Sequence, residues 1–454
     1  MRIRNAVFFA VCFVSTMTTG VAADDLHAIL VNRVDVARRA TGMVAGVIDA
    51  NGRELSAAGR VSDASPRTPD GNTVFEIGSI TKVFTSLLLA DMIERGEVKA
   101  DTPVAELLPA DVNVPSRNGR AITLLELSMQ TSGLPRLPDN IDAADPNPYA
   151  NYTPDKLYAF LNGYKLTRDP GEKYEYSNLG TGLLGFALSR KLGMSYEQAL
   201  RKRILDPLGM TSTSITLSED QKKRLAQGHG PDLEPAPNWD FNDTLAGCGA
   251  LHSTANDLFR FLAANMGLTD SPLKAAMHRM LTVRAKTDLP NTDVAMGWHI
   301  RNTDGREIVW HNGGTAGYRS FIAFDPAAKK GVVILVNTFF DSDDLGFHLL
   351  DPSSPLKQFG PPKKEISLDP KILDAYVGEY RLSPQFSITV SRDGDKMFVQ
   401  ATNQPKFEIF AEKENEFFLK MPEAEITFVK DASGKVTGMV LHQNGRDLPI
   451  NRVQ

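Results

Sequence analysis

The sequence predicts an α/β protein of the α+β kind, with one antiparallel sheet, a helical region inserted into it, and a small separate β-domain at the C-terminus. Three observations predict it. Residues 43–60, MVAGVIDANGRELSAAGR, read as two short strands around Asn51-Gly52, a strong hairpin signal. Far downstream, residues 294–301, 306–311, 318–324 and 331–337 are strand-like, with Asp304-Gly305 turning the first pair. The chain between these groups is mostly helical in pattern, so the sheet closes only when the chain returns.

The elements follow in order. Residues 1–23 carry Arg2 and Arg4, an apolar run over 6–14, and small Val21, Ala22 and Ala23 before Asp24, the three regions of a signal peptide cleaved after Ala23. The run is too short for a membrane span, which needs about 20 apolar residues. The expected product is exported, periplasmic or secreted, and has no membrane span once the leader is cut. Cys12 leaves with that leader, so Cys248 remains without a disulfide partner. An amphipathic segment over 26–40 precedes the hairpin. Thr153-Pro154 opens a helix with a cap and a first-turn proline, and Ser195 with Gln198 forms a capping box. The first domain spans 24–358. Residues 359–370, FGPPKKEISLDP, read as a linker. Over 371–454, GEYRL, FSITVSR, KMFVQA, KFEIFA, FFLK, ITFVK and VTGMVLH are short strands, with Asp393-Gly394 and Asn444-Gly445 as turns.

At 454 residues, 42% hydrophobic and 23% charged, the chain is ordinary for a globular protein of two or three domains. A net charge of -5 without a Lys/Arg block provides no basic field for nucleic acid, which points to small-molecule or peptide partners. The eight histidines show no metal-ligand spacing and G-x-x-x-x-G-K is absent, so neither a metal nor another cofactor is expected.

Chemistry concentrates in three places. Ser79 and Lys82 open a nearly apolar helix that runs to Gly96, and residues three apart share a helix face, so the amine reaches the hydroxyl. A serine hydroxyl is a weak nucleophile without a base, and a lysine desolvated at a helix start can serve as one. The spacing itself is cheap, since it recurs at Ser271 with Lys274 and at Ser354 with Lys357; only the Ser79 copy opens a long apolar helix. Tyr176 and Asn178 stand two apart before a second apolar helix, where a phenol and an amide can face one cleft. Tyr149 and Asn151 repeat that spacing in a proline-rich stretch. Finally, WHNGGTAGYRS over 310–320 reads as a strand whose Gly313, Gly314 and Gly317 permit close approach of another molecule or backbone. Read without the other two, it is equally a hairpin strand in which His311 caps a polar network.

Taken together, Ser79-Ile80-Thr81-Lys82, Tyr176-Ser177-Asn178 and His311-Asn312-Gly313 resemble the serine β-lactamase and penicillin-binding-protein superfamily, most closely its class C-like, S12-peptidase-like branch. QTSGLP at Gln130, PGEKYEYSNLG at Pro170, DPLGM at Asp206 and AGCGALHSTANDL at Ala246 extend the likeness over about residues 24–337. The C-terminal strands look like the small barrel-like β-domain appended to many such proteins. The resemblance implies a β-lactamase/transpeptidase-like fold, Ser79 as nucleophile, Lys82 as its partner and Tyr176 as proton relay. It implies Asn178 as the group orienting the substrate amide, with His311, Asn312, Gly313 and Thr315 lining the substrate strand. The oxyanion hole would be the N–H groups of Ser79 and Thr315.

One feature of that strand departs from the class C pattern, where lysine then threonine usually supply a fixed charge and a hydroxyl for the substrate carboxylate. Here stand His311 and Asn312, and a free imidazole is mostly uncharged near neutral pH. Arg319 is a candidate for the missing charge. The substrates implied are a β-lactam, a D-amino-acid peptide or an ester, with peptidoglycan as a possible partner. Ester cleavage and a penicillin-binding protein of little turnover are the alternatives to amide hydrolysis.

Overall fold

A computed structural model describes residues 23–453, apart from 143, 421–423 and 444–445. The expected leader lies outside them save for its last residue, as does the expected Asn444-Gly445 turn. The chain divides into two compact units, one up to Gly360 and one from Pro361 to its end.

The first unit is built on an eight-stranded sheet. Strands β1 (Gly42–Asp49) and β2 (Gly52–Gly59) form the early hairpin. Downstream come β3 (Ala285–Lys286), β4 (Thr292–Val294), β5 (His299–Thr303), β6 (Arg306–Gly314), β7 (Arg319–Asp325) and β8 (Lys330–Val336). The order is β2-β1-β8-β7-β6-β5-β4-β3, so the returning β8 pairs antiparallel with β1 and closes the sheet. The strand expected over 294–301 is broken in two. Gly297 turns there with φ +70°, and a Cβ on it would meet Ser86 at 2.7 Å and the Lys82 carbonyl at 2.9 Å.

Side chains alternate across the sheet and build two cores. On one face Ile322, Phe324, Val333 and Leu335 pack against the inserted helices, α1 (Thr81–Glu94), α2 (Asn178–Leu192) and α3 (Ala255–Asn265). On the other, Phe321, Ala323, Val332 and Ile334 pack with Leu26 and Leu30 of the N-terminal helix Ala23–Val31, and with Leu345 and Leu349 of α4 (Asp343–Leu350). Among the described residues no helix is long and apolar enough to cross a membrane.

The second unit is a closed eight-stranded barrel running from Gly378–Ser383 to Arg446–Arg452. Its interior holds Tyr376, Tyr380, Ile426 and Phe428, with Tyr376 stacked on Phe428 at 4.3 Å. Sequence reading missed the last strand, because Pro449 and its charged neighbours argue against one. Closure recruits it through the pairing of Arg381 with Asn451. The expected linker 359–370 is corrected as well. Ile366 N–H donates to Ala411 O at 2.8 Å, and Lys363 bridges Glu412 at 2.6 Å and Glu425 at 2.8 Å, so the stretch from Pro361 on belongs to the second unit while Phe359 and Gly360 end the first.

Candidate active site

Ser79 sits on a single 3-10 turn, Gly78–Ile80, just before α1. From Thr73 to Met92 every residue but Ser79 is buried, so its hydroxyl is the one point where solvent reaches this element. Lys82, one turn on and wholly buried, donates from Nζ to Ser79 Oγ at 3.0 Å and to the Cys248 carbonyl at 2.7 Å. The amine is thus aimed by a backbone acceptor 166 residues away. The repeats of the spacing have no such arrangement: Lys274 is exposed, and Lys357 pairs with Asp341 at 3.8 Å.

The Tyr176 loop is held by the segment that begins at Gln130. Glu175 N–H donates to Gln130 O at 2.8 Å and Ser177 N–H to Gln130 Oε1 at 2.6 Å, which fixes the chain on both sides of Tyr176. Ser177 then caps α2 by accepting from Gly180 N–H at 2.8 Å. Lys82 Nζ lies 4.8 Å from the centre of the Tyr176 ring, and the His311 ring 6.4 Å from it. Asn178 Nδ2 donates to Tyr149 OH at 2.9 Å, whereas its buried Oδ1 has no partner. Tyr149, whose motif spacing looked like a repeat, is therefore a support for Asn178 and stacks on Phe241 at 4.5 Å.

Strand β6 brings His311 and Gly313 to the Ser79 face. His311 pairs in register with Ile322 and Gly313 with Ser320. A Cβ on Gly313 would run into Ile77 O and Ser320 Oγ, and Ser320 Oγ donates to that same Ile77 carbonyl at 2.8 Å. A Cβ on Gly78, φ +48°, would meet Gly314 N at 2.8 Å. Gly313 thus admits the Ile77 carbonyl just before the nucleophile's turn, and Gly78 of that turn admits the backbone of Gly314. Gly313→Ala should lower stability by about 1–3 kcal/mol through overpacking and slow labelling of Ser79; thermal unfolding and fluorophosphonate labelling rates check both.

Two expectations for this strand are corrected. Asn312 and Arg319 lie on the far face, because alternation places them with Phe321 rather than Ile322. Asn312 Nδ2 donates to the Asp343 carboxylate, and Arg319 stands 3.8 Å from Asp341 and 5.2 Å over Phe339. Asp343 is pushed up to about 7, first by burial and then by Asp341. Thr315 was the expected oxyanion donor, but its N–H donates to Tyr318 O at 3.1 Å within the β6–β7 turn. In an antiparallel ladder, bonded and non-bonded pairs alternate. The next pair, Gly314 with Arg319, therefore turns the Gly314 N–H away from β7, along a stretch of β6 beyond Trp310, where the pairing with β5 ends.

Electrostatics separates the groups further. His311 is 2% exposed, its Nδ1 lies 2.6 Å from Asn312 O, and burial, with His299 and Lys82 beside it, holds it well below the usual imidazole value. Sequence reading took His299 as packed or surface. It is packed, 5.3 Å from the His311 ring, bonded to Tyr174 OH at 3.0 Å and held down to about 4 by burial. Glu76, three residues before Ser79, was missed. Burial pushes it up to about 7 while it accepts from Trp239 N–H at 3.0 Å. Arg136 was missed too: its guanidinium lies 5.2 Å from the centre of the Tyr176 ring.

Residues 22–350 match the family model Beta-lactamase, and residues 362–452 match a domain of unknown function, DUF3471. The chain is 32% identical over 315 residues to the D-alanyl-D-alanine-carboxypeptidase/endopeptidase AmpH of Escherichia coli (strain K12), covering 65% of this chain and 79% of that one. It is 26% identical over 409 residues to penicillin-binding protein 4* of Bacillus subtilis (strain 168), covering 83% and 87%. A solved beta-lactamase/D-alanine carboxypeptidase from Yersinia pestis, complexed with citrate, superposes with TM-score 0.61 at 28% identity over 70% of this chain and 92% of that one.

Proposed function

The chain belongs to the beta-lactamase family of serine hydrolases, and we propose that it is an exported member that opens an amide, a β-lactam ring or a D-amino-acid peptide, through a covalent ester on Ser79. The observation that carries this reading is the Ser79–Lys82 contact at 3.0 Å at the one solvent-reached residue of a buried helix start. Ser79 Oγ attacks the carbonyl carbon and its proton passes toward Lys82 and Tyr176. Collapse of the tetrahedral intermediate breaks the C–N bond, and the leaving nitrogen takes that proton by way of the Tyr176 phenol. Water then cleaves the ester and restores Ser79. The oxyanion is received by the N–H groups of Ser79 and Gly314, with Gly314 in place of Thr315 for the geometric reason given above. Asn178 Oδ1, which has no hydrogen-bond partner among the described residues, accepts the substrate amide N–H.

Ester cleavage is the second reading, favoured by the uncharged His311. A chromogenic cephalosporin, a D-alanyl peptide and a short acyl ester, each followed with the purified enzyme, separate the readings. Turnover of the first or second supports amide opening, and turnover of the ester alone replaces it.

The state of His311 makes its own prediction. The groups facing it are His299, Lys82 and Tyr176. Since burial holds its folded value well below 6.5, lowering the pH from 8 through about 6.5 should leave it neutral, and no new charge should appear for a substrate carboxylate. The ratio of kcat/KM for a carboxylate-bearing substrate to that for its neutral analogue should therefore stay flat over that range. A ratio that climbs as pH falls through about 6.5 would mean that His311 titrates in the cleft after all.

A further inference from the structure

We infer that Arg136 is the residue that reads a negative charge on the leaving-group side of the substrate, a carboxylate by chemical class. This deepens the acyl-transfer reading and rests on it. Three other basic groups near the site are already engaged or neutral. Lys82 is buried and bonded to Ser79 and to the Cys248 carbonyl. Arg319 is on the far face of the sheet beside Asp341. His311 is kept neutral by burial.

Arg136 differs from all three. It is exposed, its guanidinium lies 5.2 Å from the Tyr176 ring centre, and among the described residues no carboxylate lies within ion-pair distance of it. Its backbone is not loose: Arg136 O accepts from Asn178 N–H at 3.0 Å and from Leu179 N–H at 3.3 Å, which ties it to the start of α2. A phenol that delivers a proton to the leaving nitrogen must touch that nitrogen. The cation stacked on the same ring then meets whatever the nitrogen carries. A guanidinium presents paired N–H donors matched to a carboxylate and keeps its charge at every working pH.

The test uses the full-length enzyme and two matched peptides, one ending in a free D-alanine carboxylate and one in its amide. Arg136→Gln should reduce the carboxylate-to-amide ratio of kcat/KM by about 10- to 100-fold, the scale of a charge-assisted hydrogen bond. Arg136→Lys should recover part of it, and Arg319→Gln should leave the ratio within about two-fold. The wild-type ratio should not change between pH 5 and 8. An equal fall on both peptides with Arg136→Gln would make Arg136 a structural support of Tyr176 and overturn the inference, as would an unchanged ratio or a loss found instead with Arg319→Gln. Fluorophosphonate labelling of Ser79 runs beside these assays. If wild type is labelled but Arg136→Gln does not move the ratio, only the inference fails. If wild type is neither labelled nor active on either peptide, the acyl-enzyme reading falls and takes the inference with it.

Discussion

Ser79→Ala is expected to abolish turnover of every substrate, by about 10,000-fold or more, the scale seen when a nucleophile acting as part of a unit is removed. Wild type, and not the variant, should gain the mass of one β-lactam or one fluorophosphonate in intact-protein mass spectrometry. The fold should survive, because Ser79 is the partly exposed residue of its turn and, among the described residues, its hydroxyl is hydrogen-bonded to Lys82 alone. Thermal unfolding checks that the loss is chemical. An adduct that persists in the variant, or one mapped to Ser271 or Ser354, would remove Ser79 from the role of nucleophile.

Lys82→Met should slow acylation by about 100- to 10,000-fold, the contribution of a positioned proton-transfer group. Methionine keeps nearly the length and volume of the lysine chain, so the fully buried site stays filled. What disappears is the amine. The Cys248 carbonyl loses its donor, at about 1–3 kcal/mol, partly offset because a polar amine is no longer buried. Stability should therefore change little while labelling of Ser79 collapses, and the pairing of those two measurements is the check. Labelling at the wild-type rate would show that Lys82 only packs and aims Ser79, leaving proton removal to Tyr176 or another group.

The two effects differ in origin. In the proposed acylation Ser79 supplies the oxygen of the new ester bond and Lys82 acts on the proton that leaves that oxygen, so an exogenous amine base is expected to restore part of the activity lost in Lys82→Met and none of that lost in Ser79→Ala. The Arg136 inference stands apart from both, since it concerns which substrate is chosen rather than whether acylation occurs. The residues proposed to carry these steps all lie in the first unit.

What the sequence determined by itself is local or periodic. Ser79 reaches Lys82 because three residues nearly complete a helical turn, and Tyr176 precedes Asn178 on a loop that must end in a cap before an apolar helix. The early hairpin, the returning strands and most of the barrel follow from period-two runs between turn residues. Tertiary structure alone decided the rest, because it depends on segments far apart in the chain. Alternation places His311 and Asn312 on opposite faces, but only packing against α1 and α4 decides which face holds Ser79. The charge of His311 depends on burial beside His299 and Lys82 and not on residue type. Gly313 looked like room for a substrate and proves to be room for the Ile77 carbonyl, while Gly78 is the glycine that lets Gly314 N come close. The Thr315 N–H, expected as an oxyanion donor, is taken by Tyr318 O, and the alternation of the ladder turns the Gly314 N–H away from β7 instead. Arg136 carries no motif at all: its place over Tyr176 arises where the loop after Gln130 wraps the loop before α2, and a sequence pattern does not record that contact.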